Sequence, residues 1–161
     1  NVADMLYYAR RYDESIEQSR KTLEMDNTFW IAHIVLGKTY VEQGLFDEAI
    51  AELHKAAKLS EGRTEVMARQ GYAYAAGGNR ERALEILDGL NRQSERRPVS
   101  PFHFARIFAG LKEPDLAFQH LEQAFERLAV PLYAFKVDPS FDNLRSDPRS
   151  IDLLRRMNLP A

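Results

Sequence analysis

Ser15, Ala49, Ala83 and Ala117 stand 34 residues apart. The same interval separates Ala3, Gly37, Gly71 and Ala105. It also separates Leu6, Tyr40, Tyr74 and Phe108, and again Ile16, Ile50, Leu84 and Phe118. Self-similarity at this spacing means that one supersecondary unit is copied along an axis, each copy burying its apolar face against its neighbours. A chain with this pattern folds as a stacked solenoid, an architecture that usually serves binding.

The second copy shows what the unit is. Phe46, Ala49, Ile50, Leu53, Ala56 and Ala57 follow the i, i+3, i+4, i+7 spacing of an amphipathic helix. The run from Trp30 to Val41 reads as another helix, and Gly44 breaks the two. Asp47 and Glu48 fall in the first turn of the second helix, where carboxylates favour the positive end of the dipole. Each unit is therefore a helix-turn-helix. Gly37 and Ala49 let the paired backbones approach to about 8–10 Å, with Tyr40 and Leu53 filling the space beside them.

These residues resemble the tetratricopeptide repeat. Leu36, Gly37, Tyr40, Ala49, Leu53 and Ala56 match its pattern in repeat two. Gly71, Tyr74, Ala83 and Leu87 match in repeat three, and Phe104, Ala105, Phe108, Ala117, Leu121 and Ala124 in repeat four. Repeat one keeps Leu6, Ser15 and Thr22. The chain departs from the pattern where His33, Met67 and Pro101 replace a Trp, where Asn27, Glu61, Glu95 and Ala129 replace a closing Pro, and where Leu90 replaces a small residue. The resemblance implies an all-α superhelix of about four repeats over residues 1–131, divided as 1–29 (partial), 30–63, 64–97 and 98–131. Residues 132–161 are expected to form a C-terminal capping segment. The first residues read as the middle of a helix, so a longer parent protein is expected.

After Val130 the repeat register is lost to the eye. Asp138-Pro139 and Asp147-Pro148 each pair an N-cap with a residue suited to the first helical position. They predict short helices over 139–144 and 148–157, with Phe141, Leu144, Ile151, Leu154 and Met157 facing inward to cover the last repeat. The stretch DPSFDNLRSDPR is similar to the ends of repeat modules in bacterial signalling proteins. That likeness implies a regulatory setting downstream of an effector domain.

Enzyme signatures are missing. The sequence has neither of the glycine-rich phosphate loops and no HExxH, and its four histidines, His33, His54, His103 and His120, fall one per helix. No catalytic residue, metal site or cofactor is expected. A net charge of −2 argues against general nucleic-acid binding. No apolar run reaches the roughly 18 residues of a membrane span. The absence of cysteine excludes disulfides without fixing a compartment.

The family resemblance places partner binding on the concave face made by the first helices. Its positions fall here on Asp4, Tyr7, Tyr8, Ile34, Lys38, Glu42, Tyr72, Phe102 and Arg106, with Arg69 one step beyond such a position. Tyr and Arg are frequent anchors because they join large contact area to directed hydrogen bonds. Tyr7 and Tyr72 could equally pack against neighbouring helices. One subfamily grips a terminal carboxylate. Its positions hold Asp4, Val35, Glu65 and Arg69 here, and only Arg69 agrees, so that clamp is rejected. The expectation is a non-catalytic scaffold that takes a protein or peptide partner in its groove. The alternative is a regulatory or homodimerising tail of a larger kinase, cyclase or transcription regulator.

Overall fold

The computed structural model describes residues 1–127 and 133–159. The boundary expected at 131/132 and the closing position Ala129 lie outside the described residues. The chain forms α1 (Val2–Tyr8), α2 (Tyr12–Met25), α3 (Trp30–Glu42), α4 (Phe46–Leu59), α5 (Thr64–Ala76), α6 (Arg80–Ser94), α7 (Pro101–Gly110) and α8 (Pro114–Glu126). Then come α9 (Tyr133–Val137), a 3-10 helix (Pro139–Leu144) and α10 (Pro148–Arg156). No strand occurs among the described residues. The protein is an all-α solenoid. Each odd-numbered helix up to α7 packs on the even one that follows, and α1, α3, α5 and α7 lie side by side.

The small-residue ladder is a packing requirement. A Cβ placed on Gly37 would lie 2.6 Å from Leu53 Cγ and 3.1 Å from the Ala49 carbonyl oxygen. A Cβ on Gly71 would lie 2.5 Å from Ile107 Cδ1, on the next repeat's first helix. Ser15, Ala49, Ala83 and Ala117 are fully buried opposite this row. The turns repeat as closely: Arg10, Gly44, Gly78 and Lys112, again 34 apart, all carry positive φ. Glycine takes that conformation freely, whereas Arg10 and Lys112 adopt it at some cost.

The register continues past the point where the sequence loses it. Tyr12, Phe46, Arg80, Pro114 and Pro148 each begin a helix, at constant 34-residue steps. Contacts follow the same step: Asn143 Nδ2 donates to the Ala109 carbonyl at 2.8 Å, Arg149 pairs with Asp115 at 2.8 Å, and Arg156 pairs with Glu122. The 139–144 and 148–156 helices match the N-cap reading, with Asp138 accepting from the Ser140 N–H and Asp147 from the Arg149 N–H. The first of them is wound as a 3-10 helix.

One side chain of the expected inward face differs. Ile151 is 53% exposed, while Leu153 is fully buried. The inward stripe of α10 runs through Ser150, Leu153, Leu154 and Met157, an i, i+3, i+4, i+7 set anchored one residue before Ile151. With Phe135, Phe141 and Leu144 it joins Phe102, Phe118 and Leu121 in one apolar cluster, which covers the apolar face of α7 and α8.

Candidate functional site

The first helices bring their polar residues to the concave face, and there they meet the chain's own C-terminal segment. Asp138, the residue after α9, is fully buried in that groove. Its Oδ2 accepts from Arg69 Nη2 of α5 and from Arg106 Nη2 of α7, each at 2.9 Å. Its Oδ1 accepts from the Tyr7 hydroxyl of α1 at 3.2 Å, and from the Ser140 N–H and hydroxyl at 3.0 and 2.8 Å. Arg106 Nε donates to Ser140 Oγ at 3.3 Å. On α3, Lys38 pairs with Asp4 and lies over the rings of Tyr7 and Tyr8, 4.0 and 4.4 Å from their centroids. Arg69 and Lys38 are each 4% exposed and Arg106 3%.

Burial sets the electrostatics. It pushes the Asp138 carboxyl up, but Arg69, Arg106, Lys38 and the Ser140 N–H outweigh it and hold that group well below the usual carboxylate range. Burial, then the charges of Asp138 and Asp142, raise Glu42 to about 7. Its Oε1 is buried without a hydrogen-bond partner. Burial and the nearby Arg69 lower Lys38 to about 8, against the pull of Asp4. Burial, Arg106 and Arg69 lower His103 to about 4, so its ring is neutral at pH 7.

Of the ten groove residues named from sequence, Tyr7, Ile34, Lys38, Arg69, Phe102 and Arg106 are buried against the chain itself. Asp4, Tyr8, Glu42 and Tyr72 keep part of their surface. Tyr8, Arg69, Phe102 and Arg106 line a cavity of about 670 Å³ whose exposed rim carries Glu61, Arg63, Glu65 and Arg97. Sequence reasoning missed Asp138 and Ser140, because an Asp-Pro pair reads completely as a helix cap. Arg106 to Ser140 is again a 34-residue step, and extending the ladder one copy further would have found them.

Stacked helix pairs with a polar concave face define a helical-repeat scaffold. Two tetratricopeptide-repeat profiles match the chain, one over residues 3–64 and one over 40–98. The chain belongs to the tetratricopeptide-repeat family, whose repeats are non-catalytic and generally mediate protein–protein interaction. No curated protein matches it.

Proposed function

We propose that this domain is a protein-interaction scaffold that takes a segment of a partner protein on its concave face, in the cavity between the N-terminal ends of α5 and α7. The observation that carries the reading is the cavity itself. It sets the partly exposed Tyr8 and the exposed Arg63 and Arg97 around a floor of buried Phe102, Arg69 and Arg106. Such a lining suits a partner segment with acidic and aromatic or aliphatic side chains. Asp4 lines the adjoining groove beside Tyr8 and Arg69, on the side of α1 and α3. The chain's own Asp138 already occupies the centre of the groove, so the partner engages the mouth and not the full concave length.

That internal occupancy also favours a second reading. A regulatory tail whose groove is held by its own C-terminal segment needs no free peptide, and its contacts are made within a larger protein. The test is an array of acidic and basic peptides, each with and without aromatic residues, probed with the whole chain. Retention of acidic-aromatic peptides, reduced roughly tenfold by Tyr8→Ala with Arg97→Ala, is the expected result. Equal retention by the double variant would move the site elsewhere and favour the tail reading.

A further inference from the structure

We propose that the floor of this cavity is a binding site for a phosphate monoester. The proposal rests on the concave-face reading for its place and adds the chemical class that the floor accepts.

Three observations converge there. Arg69 gives one Nη2 hydrogen bond to Asp138, while its Nε and Nη1 have no partner although the side chain is buried. Leaving such donors unmade is costly, and an anionic oxygen satisfies the one that it reaches. His103, which lines the same cavity, has a buried Nδ1 with no partner. The N-terminus of α5 meets the cavity through Arg63, Thr64 and Glu65, and no side chain caps it. Its first-turn N–H groups and positive dipole end therefore add to the field of the arginines.

The number and placement of donors select the anion. Arg69 Nε and Nη1 point to opposite sides of the guanidinium, so one anion takes one of them, while His103 supplies a further nitrogen and Arg63 and Arg97 stand on the rim. A carboxylate has two oxygens and one charge. A phosphate monoester has three terminal oxygens and nearly two charges at pH 7, which is what an arginine cluster of this kind matches. Asp138 neutralises part of the charge of Arg69 and Arg106, and Glu61 and Glu65 sit exposed on the rim. The remaining balance is positive. Replacing Glu65 with Gln should tighten binding.

The probe is inorganic phosphate, titrated into the whole chain in a low-chloride buffer, with the His103 ring followed by NMR. Phosphate should shift the His103 resonances and raise its apparent pKa from about 4. Arg63→Ala with Arg97→Ala, both at exposed positions, should weaken binding roughly tenfold. Sulfate should compete, whereas acetate should compete poorly. Blocked phosphoserine identifies the source: tighter binding than inorganic phosphate means a phosphorylated partner segment, and equal binding means a free phosphate ester. No response of His103 to phosphate, or equal binding by the rim variant, overturns the site. Acidic peptides retained despite that result would leave the scaffold reading standing, and phosphate binding without peptide retention would remove the scaffold reading alone.

Discussion

Glu42 shows most clearly how one residue carries the cost of the groove. Its carboxyl is half-buried, faces Asp138 and Asp142, and titrates near 7 in place of 4.5. The sign follows from proton uptake. Between about pH 4.5 and 7 the folded chain holds a proton that the unfolded chain has released, so stability falls as pH rises through that window. The full penalty is of the order of 3 kcal/mol above pH 7. Glu42→Gln removes the titration and keeps the shape. It should stabilise the protein by about 1–3 kcal/mol at pH 8 and by almost nothing at pH 5. Urea unfolding at the two pH values measures this, and the same gain at both would show that Glu42 is not held neutral by its surroundings.

At the scale of elements, the helix pairs are set by what the crossing points exclude. Gly37→Ala would press a methyl group into Leu53 Cγ and the Ala49 carbonyl, neither of which is a free side-chain end. A loss of about 1–3 kcal/mol is expected from overpacking. Gly71→Ala should cost less, because its closest obstacle is the terminal methyl of Ile107. Unfolding midpoints of the two variants test the order. These contacts were legible in the sequence, since steric exclusion at a crossing leaves a small residue at a fixed interval whatever surrounds it. The helices at Pro139 and Pro148 were legible for a similarly local reason, the N-cap chemistry of Asp. Less was legible in α10, where the inward stripe depends on where the helix is rotated against α8, and Leu153 displaced Ile151 from it. Least legible was the groove. The cations Lys38, Arg69 and Arg106 are visible among the groove residues, but such a set of charges does not say whether its counter-charge comes from a partner or from residue 138 of the same chain.

At the scale of the molecule, that counter-charge ties α1 to the C-terminal segment. Tyr7 of α1 bonds Asp138, and Arg10 pairs with Asp142 at 2.8 Å, across more than 130 residues of chain. The surface pair contributes little, since Arg10 and Asp142 are both well exposed. Asp138 carries the closure. Asp138→Asn would leave Arg69 and Arg106 buried without an anion, at a cost of about 3–5 kcal/mol, a large share of a typical net stability of about 5–15 kcal/mol. The chain has no cysteine, so Arg10→Cys with Asp142→Cys reports the closure directly through a short bismaleimide. Rapid intramolecular cross-linking is expected with Asp138 in place, and slow cross-linking together with a lowered melting temperature after Asp138→Asn. Replacing Arg69, Arg106 and Asp138 together by apolar residues of similar volume should recover much of the melting temperature, because the penalty belongs to unpaired charge and not to lost attraction. Acid supplies the same perturbation without mutation: the Asp138 contribution is complete above its ordinary carboxylate range and is lost as pH falls through its depressed value. Cross-linking that stayed rapid in Asp138→Asn would mean that the apolar cover of Phe141 and Leu144, not the buried carboxylate, holds α1 to the C-terminal segment.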